Sequence, residues 1–245
     1  MLAEIAKNIA KRNQTIVRLY SKWCFLCAIP AKDFMQPSKV KLAFAVKPYT
    51  MLSYPRLSKL YEVARRLHEE GINGSFVECG VWNGGSAGMV TAVAKNDKAR
   101  HCWLFDSWEG LPEPSEYDIS RSGEKGKRGM ALGSEEKVRE VLFQKLKLSQ
   151  ERSHLIKGWF RDTLPVYKKH IGSIALLHLD CDWYESVKFC LDELFDSVIQ
   201  GGFIFIDDYG YWSGCKKATD QFITERNQKI DLIEIDCSGV YFEKP

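Results

Sequence analysis

The sequence lacks the features that mark a membrane-spanning protein or a nucleic-acid reader. No run approaches the ~20 apolar residues that cross a bilayer. The basic, amphipathic start has no apolar core followed by a small-residue cleavage site, so a signal peptide is not predicted. The formal net charge is only +3, and Lys and Arg form no dense stripe that would dock on phosphates. We therefore expect neither a membrane span nor a nucleic-acid partner.

Histidine is scarce, and zinc-type spacings are almost absent. The five histidines include no H-x-x-x-H pattern, and Cys24-x-x-Cys27 has no second pair of matching spacing among the eight cysteines. Packing is the favoured role for this pair over a redox or zinc role. Most other cysteines lie in apolar runs, as free thiols do in a reducing compartment. We therefore expect a cytoplasmic protein.

The 245 residues are enough for one sizeable core, and the apolar patterning changes along the chain. Residues 1–48 are predicted to be helical or irregular, as an N-terminal extension that serves as a lid or a dimer contact. Residues 19–30 are apolar enough to lie on a membrane surface, but packing on the domain or on a second subunit is favoured. A homodimer is therefore possible. From residue 49 onward a single domain is expected.

This domain is predicted to be α/β, with helices on both faces of a mostly parallel sheet. Short, nearly continuous apolar runs predict strands covered on both faces; they lie at 75–79, 101–106, 153–157, 173–180 and 202–207. Helical spacing predicts a helix from Pro55 to Gly71 and four later ones, at 86–95, 134–147, 184–200 and 216–227. Two final strands, 232–236 and 240–243, are joined by a tight loop with glycine, so they form an antiparallel hairpin. The sheet then has seven strands.

Residues 112–133 resist assignment to a helix or strand. They contain several glycines and many charged side chains. A loop this long inside a compact domain is usually functional or disordered. Both a mobile lid and a disordered insertion remain open.

The first strand leads into a glycine-rich turn that suits a ligand. Gly80 and its neighbours allow close backbone approach, and the following helix start favours an anionic group. The spacing misses the dinucleotide fingerprint. The second strand ends at Asp106, where an acid binds a ribose diol in related folds, although a cap or turn role is the alternative. The pattern predicts an adenosine-bearing cofactor, with Trp159 or Phe160 over the adenine and Asp162 as a contact or a helix cap.

Three carboxylates should converge at the carboxyl edge of the sheet. Asp180 follows the fourth strand, and Asp207 and Asp208 follow the fifth. Two like charges ~4 Å apart repel by about 4 kcal/mol at an effective dielectric of 20, so the group needs a cation. All-oxygen ligands suit Mg²⁺, Mn²⁺ or Ca²⁺. Such a cation would activate a hydroxyl, with Asp180 as ligand, base or both and Asp182 as the second candidate base.

Five blocks resemble the macrocin O-methyltransferase (TylF-type) family, from about residue 49 to the C-terminus. They are FVECGVWNGGS at 76–86, LFDSWEGLP at 104–112, DTLP at 162–165, LDCDWYES at 179–186 and IDDYG at 206–210. The resemblance implies a Rossmann-like class I methyltransferase domain over residues 49–245, with S-adenosylmethionine as donor and a Mg²⁺ site (Mn²⁺ is possible). It also implies a hydroxyl acceptor on a sugar of a glycosylated natural product or on a glycan.

The resemblance also implies roles for particular residues. The metal ligands would be Asp180, Asp207 and Asp208. The cofactor would be held by Thr50, Met51, Glu78, Gly80, Ser86, Asp106, Ser107, Phe160, Asp162 and Asp180. Catechol-type relatives have a lysine where Trp183 stands, which argues against a lysine base here.

Two other functions fit parts of the pattern. A nucleotide-sugar oxidoreductase would also use a glycine turn and a ribose acid. A non-catalytic protein with a cofactor-type fold would serve as a binding partner. The surplus carboxylates and the missing dinucleotide fingerprint favour the O-methyltransferase.

Overall fold

A seven-stranded sheet organises the domain in this computed structural model, which describes residues 23–245. The strand order is β3-β2-β1-β4-β5-β7-β6, with the first five strands parallel and the last two antiparallel. The strands are β1 Ser75–Cys79, β2 Cys102–Asp106, β3 Ser153–Lys157, β4 Ile174–Leu179, β5 Val198–Ile206, β6 Ile233–Glu234 and β7 Val240–Glu243. This confirms the predicted sheet and its terminal hairpin.

Helices cover both faces of the sheet. They are α1 Pro37–Val46, α2 Tyr54–Glu69, α3 Gly85–Thr91, α4 Glu135–Arg139, α5 Phe160–Ile171, α6 Tyr184–Leu194 and α7 Ser213–Arg226. A π-helix, Glu140–Lys145, continues α4, and short 3₁₀ turns lie at Ala31–Met35, Lys47–Tyr49 and Phe195–Ser197. Among the described residues, no helix is long and apolar enough to cross a membrane.

Side chains alternate along the strands between two apolar cores. On β5, Phe203 and Phe205 pack with α1 to α3, whereas Ile204 and Ile206 pack with α5 to α7. Successive side chains of a strand point to opposite faces, so a strand buried on both sides reads as a continuous apolar run. This explains why the central strands were predictable.

Several elements differ from the prediction in their bounds, most clearly at the end of α6. The predicted helix over 184–200 ends at Leu194, and Val198 already belongs to β5. Gly201 has a φ of +76° inside that strand and donates its N–H to the carbonyl of Lys244, so it is not a helix end. Helix α5 has no predicted range, although Asp162 is a predicted candidate for its cap; Pro165 lies inside it, and interior proline disfavours a helix.

The described part of the predicted extension packs against the domain. Ala43 and Val46 of α1 are fully buried in the core that also contains α2. The buried Lys39 ammonium lies 3.0 Å from Asp33 Oδ2 and 2.7 Å from Glu62 Oε1, which ties this segment to α2. Residues 1–22 lie outside the described residues, and a lid or dimer role for the extension stays a prediction.

Candidate active site

A cavity of about 490 Å³ opens at the carboxyl edge of the parallel strands. Its walls come from the loops that follow β1 to β5, the segment before α2 and the loop between β6 and β7. Ligands of open α/β sheets bind at this edge, where the strand order reverses. Here the reversal lies between β1 and β4, which carry the glycine turn and Asp180.

Gly80 allows the glycine turn to touch the end of β4. Its φ is +94°, and a Cβ atom built on it would lie 1.8 Å from the carbonyl oxygen of Asp180. Only glycine fits this contact, since any side chain would collide with backbone. The turn that follows β1 and the strand end that carries Asp180 therefore form one unit.

Asp106 organises two loops of the cavity. Its Oδ2 accepts hydrogen bonds from the backbone N–H groups of Val81 and Trp82, both at 2.8 Å, and its Oδ1 accepts one from Trp108 at 2.7 Å. Trp82 and Trp108 both have left-handed backbone, with φ of +49° and +50°. Burial raises the pKa of Asp106, although these hydrogen bonds oppose the rise. The carboxylate therefore stabilises two strained turns, and its predicted contact with a ribose stays a prediction.

Glu78 lies behind the cavity wall rather than in it. It accepts a hydrogen bond from Ser86, which lines the cavity, and its Oε1 is 3.1 Å from His178 Nδ1. The other ring nitrogen of His178 is 3.8 Å from Asp207 Oδ1. Burial lowers the pKa of His178, but its contacts with Asp207 and Glu78 outweigh burial and raise it to about 9. The buried histidine thus links the glycine-turn side of the cavity to the acidic side.

The other predicted cofactor residues are divided between the cavity wall and the surface. The cavity is lined by Thr50, Met51, Ser107 and Phe160. Asp162 is exposed in the first turn of α5 and does not line the cavity. Its predicted contact with a cofactor therefore has no support in this arrangement, and the alternative of a helix-start residue fits its position.

The segment of Thr50 is held close to the start of α3. A Cβ atom on Gly85 would lie 2.6 Å from Thr50 Cβ. The preceding residue, Tyr49, donates its hydroxyl to Glu140 Oε1 at 2.6 Å. Glu140 begins the π-helix, and such irregular turns often occur near functional sites.

Asp180, Asp207 and Asp208 come together as the sequence predicts. Each offers a carboxylate oxygen, and these three oxygens lie within 4.8 Å of one another. Burial raises the pKa of Asp180 well above its usual range, and the charges of Asp207 and Asp208 raise it further. Burial also raises the pKa of Asp208, together with the charges of Asp182 and Asp207. So much negative charge in one place favours a cation.

Asp182 lines the same cavity beside this cluster. Its backbone is left-handed, with a φ of +59°, and its Oδ1 accepts a hydrogen bond from Trp212 Nε1 at 2.9 Å. Burial raises the pKa of Asp182 to about 7, although the bond from Trp212 lowers it. Strained backbone of this kind concentrates at functional sites.

Arg56 is a residue of the site that the sequence did not indicate. It lines the cavity from the first turn of α2 and donates to Asp207 Oδ2, while its Nε lies 3.1 Å from Asp236 Oδ2. Burial would lower the pKa of Arg56, but Asp207 and Asp236 raise it overall. Arg56 is 151 residues before Asp207, so no local motif connects them.

Residues 112–133 fold as an ordered lobe over the cavity. Asp118 is buried; its Oδ2 accepts from Ser115 N at 2.7 Å and its Oδ1 accepts from the N–H of Tyr184 at 2.8 Å, at the start of α6. Ser213 donates its N–H to the carbonyl of Ile119 at 2.9 Å. The disordered-insertion alternative does not fit these contacts, and movement as a lid stays a prediction.

A family model supplies the decisive comparison for this arrangement. The model described as "Macrocin-O-methyltransferase (TylF)" matches residues 38–244. The chain belongs to this family. The family match includes α1, part of the segment that was predicted to precede the domain. Membership confirms the resemblance and sets aside the oxidoreductase and the non-catalytic protein.

Characterised relatives in the TylF family are O-methyltransferases. The chain is 33% identical over 206 residues to demethyldecarbamoylnovobiocin O-methyltransferase of Streptomyces niveus, covering 80% of this chain and 76% of the relative. It is 26% identical over 202 residues to mycinamicin III 3''-O-methyltransferase of Micromonospora griseorubida, covering 80% and 78%. The protein is therefore an S-adenosylmethionine-dependent O-methyltransferase.

Solved structures agree with the fold. The O-methyltransferase NovP superimposes with a TM-score of 0.72 at 30% identity, covering 80% of this chain and 82% of NovP. TomG, an O-methyltransferase solved in complex with SAM, has a TM-score of 0.55 at 10% identity, which supports the fold alone. The class I methyltransferase fold is thus confirmed.

Proposed function

We propose that this protein methylates a hydroxyl on a sugar of a glycosylated natural product or on a glycan, with a divalent cation in its site. The observation that carries the proposal is the cluster of Asp180, Asp207 and Asp208 beside Asp182, all in one cavity. The donor supplies an activated methyl group on sulfur. The residues must then hold the acceptor oxygen near that methyl group and remove its proton.

The donor set fits a hard cation. All three groups are carboxylates, which Mg²⁺ prefers and Mn²⁺ accepts. Asp180, Asp207 and Asp208 would hold the ion, and an ion held there would lower the pKa of an acceptor hydroxyl and orient it. Arg56 and His178 already contact Asp207, so this carboxylate has a fixed position.

Asp182 is the better candidate for the base. It lines the cavity but is not one of the three clustered carboxylates, so its oxygens stay available to an acceptor proton. The hydrogen bond from Trp212 fixes one of those oxygens. Asp180 then serves as a ligand, and its predicted second role as base is the alternative.

The proposed acceptor rests on the relatives and on the cavity wall. The names of two relatives specify demethyldecarbamoylnovobiocin and mycinamicin III as their acceptors. In this chain, the cavity wall also carries Leu111, Met130, Tyr211 and Trp212. Apolar and aromatic side chains suit the ring faces of a sugar and an apolar aglycone.

The eight free cysteines agree with a reducing compartment, and we keep the cytoplasm as the proposed location.

Methyl transfer from labelled donor to a panel of glycosylated acceptors tests the proposal. We expect activity that EDTA removes and Mg²⁺ restores. Asp182→Asn should lower kcat by roughly 10²–10⁴-fold, the usual contribution of a general base, while S-adenosylhomocysteine still binds.

Asp162→Asn is the matched control, since Asp162 is an exposed carboxylate outside the cavity. It should keep full activity. Undiminished turnover in EDTA would refute the cation, and undiminished turnover of Asp182→Asn would refute the base.

A further inference from the structure

The segment before α2 exposes a group of large apolar side chains. Exposed fractions reach 64% for Trp23, 54% for Phe34 and 86% for Met35, and Leu26 and Phe44 are also exposed. We call these five residues the apolar face. Scattered exposed apolar residues are ordinary, but a concentrated group marks an interaction site.

Helix α1 carries apolar residues on part of its outer side as well as on its inner side. Ala43 and Val46 face the core, whereas Phe44, Ala45 and Lys41 are exposed. A surface helix normally presents polar residues to water, and a helix that is apolar all round is normally covered. The outer side of α1 therefore suits contact with another apolar medium.

The members of the apolar face lie on α1 and beside its two ends. The ring of Phe25 packs on the domain, with its centroid 5.6 Å from that of Phe44 and 5.1 Å from Lys47 Nζ, so the turn that carries Trp23 and Leu26 lies against α1. Phe34 and Met35 lie just before the N-terminal end of α1, and the helix is about 15 Å long.

This part of the chain is strongly basic. Residues 1–51 contain nine Lys or Arg and two acids, a net charge of +7, whereas the whole chain carries +3. One of the two acids, Asp33, is buried against Lys39. Lys32 and Lys41 are exposed beside the apolar face. The remaining residues, 52–245, therefore carry a net negative charge.

We propose that the apolar face docks on a bilayer surface that contains anionic phospholipids. Aromatic and aliphatic side chains insert at the boundary between headgroups and acyl chains, and nearby Lys and Arg side chains are attracted by the negative headgroups. Trp23 suits this boundary because its ring is amphipathic. A second copy of the chain fits less well, since a two-fold contact through this face would bring the exposed Lys32 and Lys41 of both copies together.

Cosedimentation of the full chain with vesicles tests the docking. Vesicles of equal parts phosphatidylglycerol and phosphatidylcholine should bind the protein, and vesicles of phosphatidylcholine alone should not. High salt should weaken the binding, because it screens the headgroup charge. Phe34→Ser combined with Met35→Ser should weaken it by about tenfold, since the apolar area that enters the bilayer shrinks.

Val166→Ser is the matched control, because Val166 is 62% exposed on α5, outside the apolar face. It should bind like the original protein, and equal melting temperatures would show that all variants fold. Three results would overturn the proposal: no binding to the anionic vesicles, equal binding by all variants, or a dimer in light scattering that Phe34→Ser with Met35→Ser dissolves. The last result would assign the face to a second copy.

Discussion

Arg56 shows how one side chain can prepare an acidic site. Its guanidinium donates to Asp207 and lies beside Asp236, so it connects α2 to β5 and to the terminal hairpin. Asp207 is 5% exposed, and a buried carboxylate without a cationic partner is costly. Arg56 therefore acts as a positioning residue for one of the proposed metal ligands.

Replacing Arg56 with Ala should lower the free energy of unfolding by about 3 kcal/mol, because the buried Asp207 carboxylate loses its closest cationic partner. Turnover at saturating donor should fall as well, since Asp207 loses its fixed position. Arg66→Ala in the same helix should change stability by less than about 0.5 kcal/mol, because its pair with Glu70 is exposed. Urea unfolding of both variants would measure the difference, and equal losses would contradict the positioning role.

Gly80 gives a second prediction at this scale. Gly80→Ala should prevent the turn from reaching β4, because the new Cβ atom would collide with the Asp180 carbonyl. Gly123→Ala is a control, since Gly123 also has positive φ, at +84°, but has no atom within 4 Å of the new carbon. The control should cost only about 1–2 kcal/mol of left-handed strain. We expect Gly80→Ala alone to lose binding of S-adenosylhomocysteine in calorimetry, and retained binding would contradict the predicted clash.

At the scale of elements, strands β2 and β3 meet through a histidine pair. His101 Nδ1, just before β2, lies 2.8 Å from His154 Nε2 on β3, and the His154 ring stacks on Trp103 with centroids 4.1 Å apart. Burial lowers the pKa of His154, and the charge of His101 lowers it further. The folded state therefore resists protonation of His154.

This lowered pKa predicts a loss of stability in acid. A base with a lower pKa in the folded state binds more protons when unfolded, so stability falls as the pH drops below the ordinary value of 6.5. His154→Phe keeps a ring on Trp103 but cannot be protonated. Urea unfolding between about pH 5 and pH 8 should show a steeper acid loss for the original protein than for the variant. Parallel curves would refute this prediction.

Elements differ in how well sequence patterns define them. The central strands are buried on both faces, so unbroken apolar runs mark them clearly. The end of α6 is less clear in the sequence. Apolar residues continue after Leu194 through the turn Phe195–Ser197 and into β5, without a residue that marks a helix end. Helix α5 contains Pro165, which local propensity disfavours. Its Leu164 and Ile171 belong to the core that also contains residues of β1 and β4, and a local pattern does not show this packing.

At the scale of the whole molecule, one topological rule accounts for what was predictable in the site. Parallel strands end at one edge, so Asp180 and the pair Asp207 and Asp208 had to approach each other. No comparable rule brings Arg56 to Asp207, or His178 between Glu78 and Asp207. The Arg56–Asp207 contact joins residues 151 apart and the His178–Glu78 contact joins residues 100 apart, so no local motif shows either of them.

The ordered lobe formed by residues 112–133 is a part of the cavity wall that could differ between family members with different acceptors. The lobe is bonded to the start of α6 through Asp118 and to the start of α7 through Ser213. Gly214 lies so close to Asp118 that a Cβ atom there would be 1.9 Å from its Oδ1. If the lobe were replaced by that of another family member, the residues that contact it would have to change with it. Residues 211–214 therefore belong to the same exchangeable unit as the lobe. The glycine turn and the acidic cluster could stay unchanged while such modules diversify.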